Sequence, residues 1–302
     1  MNKVAVVFPG QASQYVGMGK DLHDSSSDVR NLYELASGLI GEDIARLSFG
    51  GPAEKLKETR FTQPAILLHS LAVLILMKDR LPGLEMTAGH SLGEYGSLAL
   101  AGVINFEDAV RAVVKRSVLM EEACRNNPGT MAAIIGLEED KIIEICTAAS
   151  SKGVVVPANL NSSNQIVISG SLSGVDEACR LCKEAGAKRA MILPVGGAFH
   201  SPLMDEARDK MGIFLDTMVF SEPKMKIIPN VLGAPVTEAA KIKKLLVEQI
   251  TAPVRWYQTM KYMADNSVTA MIEVGPGKVL TGMAKREMAS AQMINLDTLA
   301  DI

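Results

Sequence analysis

The pentapeptide Gly89-His90-Ser91-Leu92-Gly93 matches the pattern G-x-S-x-G, which places a nucleophilic serine on a sharp turn between a strand and a helix. Glycines suit such a turn because side chains beside the serine would collide with the backbone. The turn points the N–H of Leu92 at a developing oxyanion, and the helix N-terminus adds positive potential. A glycine-rich turn with a surface serine is the alternative, but a preceding short strand and a following apolar helix favour a nucleophile.

A serine hydroxyl needs a neighbouring base, and the chain contains four histidines. His23 lies in a polar, acidic stretch and is expected to be exposed, whereas His69 lies in an apolar helix and is expected to be a hydrogen-bonded core residue. His90 precedes the serine and should point away from it. His200 lies in a loop just before a helix, where positive potential favours the neutral imidazole of a base. Elimination therefore favours His200, and no acidic residue stands out as the third member of a triad.

A second group able to do chemistry is Arg116, whose neighbours three and four positions away are Ala112, Val113, Leu119 and Met120. This spacing places a guanidinium on the apolar face of a helix, where an unpaired cation is costly. Two interpretations remain open. The side chain reaches solvent or pairs internally, or it binds the carboxylate of a substrate.

Composition narrows the class of protein. The chain has 302 residues, 48% of them hydrophobic, and a net charge of −3, so no basic excess favours nucleic acid. The apolar stretch 65–77 is expected to be too short to cross a membrane, and residues 1–8 lack the pattern of a secretory signal, which together predict a cytoplasmic protein. The single Cys179-x-x-Cys182 pair cannot complete a zinc site, so reduced thiols and no metal are expected.

The pattern of elements predicts an α/β protein, because buried strands alternate with amphipathic helices. Expected strands cover 3–8, 85–88, 226–229 and 268–274. Expected helices cover 28–40, 63–80, 106–125 and 201–218, together with a helical run from the serine turn to about residue 101.

The stretch 128–196 differs, because its order β-α-β-β-α-β is that of a ferredoxin-like unit. Its predicted strands are 131–136, 153–157, 165–169 and 189–195, its helices are 138–150 and 175–185, and its turn is 161–164. We therefore predict a large α/β-hydrolase-like domain with a parallel sheet, formed by residues 1–127 and 197–302. A small ferredoxin-like α+β domain, residues 128–196, is inserted into it.

Several motifs in this order resemble the malonyl-CoA:acyl carrier protein transacylases and the related acyltransferase domains of fatty acid and polyketide synthases. They are Phe8-Pro9-Gly10-Gln11-Ala12-Ser13-Gln14, Thr62-Gln63-Pro64-Ala65, residues 89–95, residues 196–204 and Glu273-Val274-Gly275-Pro276-Gly277-Lys278-Val279-Leu280. The resemblance covers essentially the whole chain. Departures are few: Ala12 replaces a glycine common in the first motif, and Gly197-Ala198 varies at a position that tunes substrate choice.

The resemblance implies a role for each matching residue. Ser91 would be the acylated nucleophile and His200 its base, held by the backbone carbonyl of Gln249 in place of an acid. Gln11 and Leu92 would supply the oxyanion N–H groups. Arg116 would hold the malonyl carboxylate, which narrows the two interpretations left open above. Three further residues would line the pocket: Gln63, Asn159 and Phe199, the last as the ring that disfavours a methylmalonyl group.

The resemblance also implies the reaction and its partners. A malonyl group would move from malonyl-CoA to an acyl carrier protein through a malonyl-serine ester, with coenzyme A thioester and phosphopantetheine as substrates and no cofactor. A monomer that binds neither nucleic acid nor membrane is expected. Two rival predictions remain. The first is a serine esterase or thioesterase, in which an acidic side chain would pair with the histidine and Arg116 would have no role. The second is a non-catalytic module that docks a carrier protein. The resemblance applies equally to an acyltransferase of fatty acid synthesis and to one that serves polyketide synthesis.

Overall fold

The computed structural model describes residues 3–77, 80–81 and 83–302, and it contains two β-sheets surrounded by helices. Residues 1–2, at the start of the predicted large domain, and residues 78–79, at the end of the helix predicted over 63–80, lie outside the described residues. A mixed α/β fold, as the alternation of elements predicts, is therefore confirmed.

The nine strands among the described residues fall into these two sheets. They are β1 (Val4–Phe8), β2 (Leu84–Gly89), β3 (Gly129–Ile135), β4 (Val155–Ser162), β5 (Gln165–Ser171), β6 (Arg189–Ile192), β7 (Lys226–Ile227), β8 (Ala270–Val274) and β9 (Gln292–Leu296).

The described helices run between and around the strands. They are α1 (Lys20–Ser25), α2 (Ser27–Ile40), α3 (Ile44–Gly50), α4 (Ala53–Leu56), α5 (Thr59–Met77), α6 (Gly93–Leu100), α7 (Phe106–Asn126), α8 (Glu139–Ala149), α9 (Leu172–Glu184), α10 (Asp205–Asp216), α11 (Ala239–Glu248), α12 (Trp256–Asp265) and α13 (Val279–Glu287). Short 3-10 helices cover Pro202–Met204 and Leu299–Asp301.

The first sheet is parallel throughout and has the order β7-β2-β1-β8-β9. Its central strand β1 is buried along its whole length, as expected for a parallel strand covered by helices on both faces. Because the carboxyl ends of parallel strands share one edge of a sheet, β1 and β2 both deliver their following loops to the same place. Those loops carry Gln11 and Ser91.

The second sheet is antiparallel and has the order β4-β5-β3-β6. Helices α8 and α9 pack on it, and Ile142, Val175 and Ile168 belong to its own core cluster. The loop after β6 leads to His200, so this sheet brings the histidine back toward the first sheet.

Helix α5 is long and apolar enough to cross a membrane by length and composition alone, which corrects the expectation that the stretch 65–77 was too short. The helix starts at Thr59, ahead of that stretch, and therefore reaches 19 residues. However, 83% of its apolar window is buried inside the protein, where it packs on α7. The apolar surface of α5 is thus core surface.

The structure corrects several predicted details. Strand β4 extends through Asn161 and Ser162, so the predicted turn 161–164 shrinks to two residues, because Ser162 still pairs with Gln165 across the hairpin. Strands β6 and β7 are shorter than predicted, and β9 was not predicted. His23, on helix α1, is not fully exposed as expected. Its side chain is 20% accessible and packs against Tyr33 and Phe49.

Candidate active site

Ser91 occupies a tight turn between β2 and α6 and has φ = 52°, as the G-x-S-x-G pattern predicts. The flanking glycines are required by close contacts. A Cβ on Gly89 would lie 1.9 Å from the carbonyl carbon of Gly93, and a Cβ on Gly93 would lie 2.2 Å from the carbonyl oxygen of Phe8. The backbone of α6 therefore packs directly on the end of β1, and this packing fixes where the serine points.

The structure brings His200 to the serine, although the two residues are 109 positions apart in sequence. The Nε2 atom of His200 lies 2.8 Å from the Oγ atom of Ser91. On the other side of the ring, Nδ1 lies 2.7 Å from the backbone carbonyl oxygen of Gln249. Because a carbonyl oxygen can only accept, Nδ1 carries the proton and Nε2 is free to accept the serine proton.

His200 is held in the neutral form that a base requires. Burial and the nearby positive charge of Arg116 lower the pKa of His200 to about 3. Only 3% of the residue is exposed, so water does little to stabilise an imidazolium there. The Gln249 carbonyl opposes this shift in pKa, and it is the group that would stabilise the imidazolium formed during a reaction.

Arg116 is 1% exposed, so its side chain does not reach solvent. It donates from Nη1 to Gln63 Oε1 at 2.6 Å, and from Nη2 to Ser91 Oγ and Gln249 Oε1, both at 3.0 Å. Its Nε has no hydrogen-bond partner among the described residues, and its three hydrogen bonds all go to neutral oxygen atoms. The guanidinium thus lies beside the nucleophile as a buried cation with spare donor capacity, which is suited to a small carboxylate.

These groups meet in a cavity of about 200 Å³. Its walls include five further residues that the sequence predicts for the site, together with Met120. The five are Gln11, Gln63, Leu92, Asn159 and Phe199. Within the described parts of the chain, the backbone N–H groups of Gln11 and Leu92 have no protein acceptor, and both residues line the cavity beside Ser91.

The other predicted positions are also placed. The buried Oδ1 of Asn159 has no hydrogen-bond partner, and Gln63 is fixed between Arg116 and the sulfur of Met120. His69 is a buried core residue that bonds through Nε2 to the Asp297 backbone carbonyl at 2.7 Å, as predicted. His90 bonds to Asn161 Oδ1 at 3.0 Å and does not contact the serine oxygen.

Two residues of the site were missed by sequence analysis, Glu94 and Asn230. Asn230 accepts from the Ser91 N–H at 2.7 Å and donates to the Gly89 carbonyl at 2.6 Å, so one side chain ties both ends of the serine turn. Glu94 lies fully buried in the first turn of α6. A carboxylate among the apolar residues of that helix was a signal available in the sequence. Asn230 gave none.

No described group of three or more His, Cys, Asp or Glu side chains could hold a metal ion. All four cysteines are unpaired thiols. Burial raises the pKa of Cys182 to about 11 and that of Cys146 to about 12, which makes these thiols poor nucleophiles. Ser91, whose Oγ atom contacts the neutral imidazole of His200, is therefore the better-placed candidate nucleophile.

Comparison with known proteins gives consistent results. Residues 5–301 match the family model described as the acyl transferase domain. A malonyl CoA-acyl carrier protein transacylase of Haemophilus influenzae is 42% identical over 302 residues, 99% of this chain and 97% of that protein. A solved acyl carrier protein S-malonyltransferase of Vibrio cholerae is 42% identical, with a TM-score of 0.92 and coverage of 99% and 98%. A malonyl-transacylase solved in complex with its type II PKS acyl carrier protein is 38% identical, with a TM-score of 0.93 and coverage of 99% and 97%.

Proposed function

The chain belongs to the acyl transferase family, and we propose that it transfers a malonyl group from malonyl-CoA to the phosphopantetheine thiol of an acyl carrier protein. The observation that carries this proposal is the position of one buried guanidinium. Arg116 Nη2 lies 3.0 Å from the Oγ atom of Ser91, which itself lies 2.8 Å from His200 Nε2. A nucleophile, a base and a carboxylate-binding cation thus share one cavity.

In the first half-reaction, His200 Nε2 removes the Ser91 proton as Oγ attacks the thioester carbonyl of malonyl-CoA. The N–H groups of Gln11 and Leu92 stabilise the oxyanion of the tetrahedral intermediate. When that intermediate collapses, the carbon–sulfur bond breaks and His200 returns its proton to the departing coenzyme A thiolate. The product of this step is a malonyl ester on Ser91.

In the second half-reaction the carrier protein's phosphopantetheine thiol replaces coenzyme A. His200 accepts the thiol proton, the sulfur attacks the ester carbonyl, and the carbon–oxygen bond breaks as the proton passes to Ser91 Oγ. Arg116 holds the malonyl carboxylate through both steps, while Gln63, Asn159 and Phe199 enclose the acyl group. Each role is supported by the positions of these residues around the cavity.

The histidine's partner argues against an esterase or thioesterase that works through a serine–histidine–acid triad. His200 Nδ1 donates to the Gln249 carbonyl at 2.7 Å. Such an enzyme for neutral acyl groups also has no use for a buried cation beside its serine. A module that merely docks a carrier protein would have no use for the contact between Ser91 and His200.

We also propose that the fold divides as the sequence predicts, into residues 1–127 with 197–302 and an insertion of residues 128–196. The order β4-β5-β3-β6, with every pair antiparallel, supports a ferredoxin-like insertion. The elbow at Ser91 and the parallel sheet support an α/β-hydrolase-like large domain. We further propose that the protein is a cytoplasmic monomer. It needs no cofactor or metal, because Ser91, His200 and backbone N–H groups supply every step.

The test is transfer followed by mass spectrometry of the carrier protein. The chain is incubated with malonyl-CoA and a holo carrier protein from a fatty acid or a type II polyketide system, with the apo carrier, which lacks the thiol, as the matched control. The proposal expects a gain of one malonyl unit on the holo carrier only, and the preferred carrier indicates the pathway. Hydrolysis of malonyl-CoA without any gain on either holo carrier would reject transfer and favour a hydrolase.

A further inference from the structure

Glu94 is a fully buried carboxylate that the reaction described above does not use. It lies on the first turn of α6, three positions after Ser91. Its Oε2 atom accepts from the side-chain Nε2 of Gln249 at 2.9 Å and from the backbone N–H of Asn230 at 3.1 Å. Its Oε1 atom has no hydrogen-bond partner. A carboxylate buried with half of its acceptors empty is costly, so its presence calls for a function.

The side chain of Gln249 connects this carboxylate to Arg116. Its Oε1 accepts from Arg116 Nη2 at 3.0 Å, while its Nε2 donates to Glu94 Oε2 at 2.9 Å. The cation and the anion are therefore joined through one amide group and make no direct ion pair. The same Nε2 also donates to the Ser91 carbonyl at 2.9 Å, and the backbone carbonyl of Gln249 holds His200.

We propose that Glu94 is the resident counter-charge of Arg116, a positioning residue that acts through Gln249 and competes with the substrate carboxylate for the guanidinium. This inference rests on the proposed malonyl transfer. Before substrate binds, the bridged pair keeps the buried cation oriented. When a malonyl group arrives, two anions share one cation, so its carboxylate is held less tightly than Arg116 alone would hold it. Weaker holding favours release of the malonyl group to the carrier protein.

The protonation state of Glu94 then links malonyl binding to pH. Burial raises the pKa of Glu94 to about 7, while Arg116, Gln249 and the Asn230 N–H oppose that rise. Arg116 on α7 and Tyr95 on α6 are the ionisable groups that interact with it, and burial raises the pKa of Tyr95 far above neutrality. A second anion beside Arg116 raises the pKa of Glu94 further. Malonyl binding therefore takes up a proton, and affinity falls as pH rises through 7.

The test measures binding without turnover, using a Ser91→Ala protein and isothermal titration calorimetry with malonyl-CoA and acetyl-CoA between pH 6 and 8.5. Acetyl-CoA is the matched ligand, because it carries the same phosphates but no acyl carboxylate. The malonyl-CoA Kd is expected to rise with pH relative to the acetyl-CoA Kd, with net proton uptake near pH 7. Adding Glu94→Gln, which keeps the shape and removes the charge, should lower the malonyl-CoA Kd at pH 8 by at least about threefold. It should also abolish the difference in pH dependence.

Glu273→Gln is the matched control variant, because Glu273 is equally buried but binds the backbone N–H groups of Leu280 and Thr281. It should change the Kd of both ligands alike. If Glu94→Gln weakens both ligands alike, or leaves the malonyl-CoA Kd and its pH dependence unchanged, the inference is wrong. If that variant does not fold, the pH dependence in Ser91→Ala alone decides. Transfer by the parent chain, measured in parallel, shows separately whether the proposed function holds.

Discussion

Replacing Arg116 by alanine should separate donors that carry a carboxylate from donors that do not. The guanidinium is 1% exposed and makes hydrogen bonds of 2.6 to 3.0 Å to Gln63, Ser91 and Gln249. In such a site a substrate carboxylate gains charge-assisted hydrogen bonds that water does not weaken. With malonyl-CoA, truncation leaves that carboxylate buried without its partner.

Truncating one partner of a buried charge pair costs about 2 to 5 kcal/mol. Taking about 3 kcal/mol, kcat/KM for malonyl-CoA should fall by a factor of about 150. With acetyl-CoA the variant loses no contact to the acyl group. Of the three resident hydrogen bonds that it loses, the bond to Ser91 Oγ bears most directly on the rate, and a hydrogen bond to a charged group is worth about 1.5 kcal/mol, or roughly tenfold. Discrimination between the two donors should therefore fall by about one order of magnitude.

The assay is the initial rate of acyl-enzyme formation with each donor, followed by intact-protein mass. Arg116→Lys serves as the matched variant, because it keeps a positive charge but lacks the planar fork, and should give an intermediate loss with malonyl-CoA. Circular dichroism confirms that each variant is folded. Equal losses with malonyl-CoA and acetyl-CoA would refute the idea that Arg116 binds the substrate carboxylate.

Three further predictions concern His200, Asn230 and Gly93. Because the pKa of His200 is lowered to about 3, kcat/KM should not fall as pH drops through the ordinary histidine value of about 6.5, and an acidic limb there would contradict the assignment. Asn230→Ala leaves the N–H of the nucleophile and the last carbonyl of β2 unpaired, so urea unfolding should show a loss of about 2 kcal/mol, whereas a loss under about 0.5 kcal/mol would argue against this tie. Gly93→Ala places a Cβ 2.2 Å from the Phe8 carbonyl oxygen and should prevent folding. Gly38→Ala lies in a helix with open space around it and should raise the free energy of unfolding by about 0.5 to 1 kcal/mol. Equal melting temperatures for the two variants would contradict this difference.

Local chemistry was readable from the sequence. The turn around Ser91 could be predicted because its glycines are required by close contacts. These contacts involve residues a few positions away in the chain and the end of one neighbouring strand. Arg116 stood out because an arginine on an apolar helix face conflicts with burial. The sequence left open how that conflict is resolved. The structure resolves it with Gln63 and Gln249, which lie 53 and 133 positions away.

Long-range side-chain contacts could not be predicted from the sequence pattern. Asn230 reaches the Ser91 N–H across 139 positions, and Glu94 reaches Gln249 across 155. No local periodicity encodes such pairs, because they depend on how the loops of two sheets meet. The same limit applied to the Gln249 carbonyl, which only a family resemblance indicated, and to β9, an edge strand whose pairing with β8 is set by the sheet.

The most direct measurement of the central claim locates the covalent intermediate. The protein is mixed briefly with malonyl-CoA, quenched in acid, digested and mapped by mass spectrometry, before and after a chase with holo carrier protein. The account predicts one malonyl unit on the peptide that contains Ser91, absent from Ser91→Ala and lost during the chase as the carrier gains the same mass. A malonyl unit on another residue, or transfer to the carrier by Ser91→Ala at the parent's rate, would contradict it.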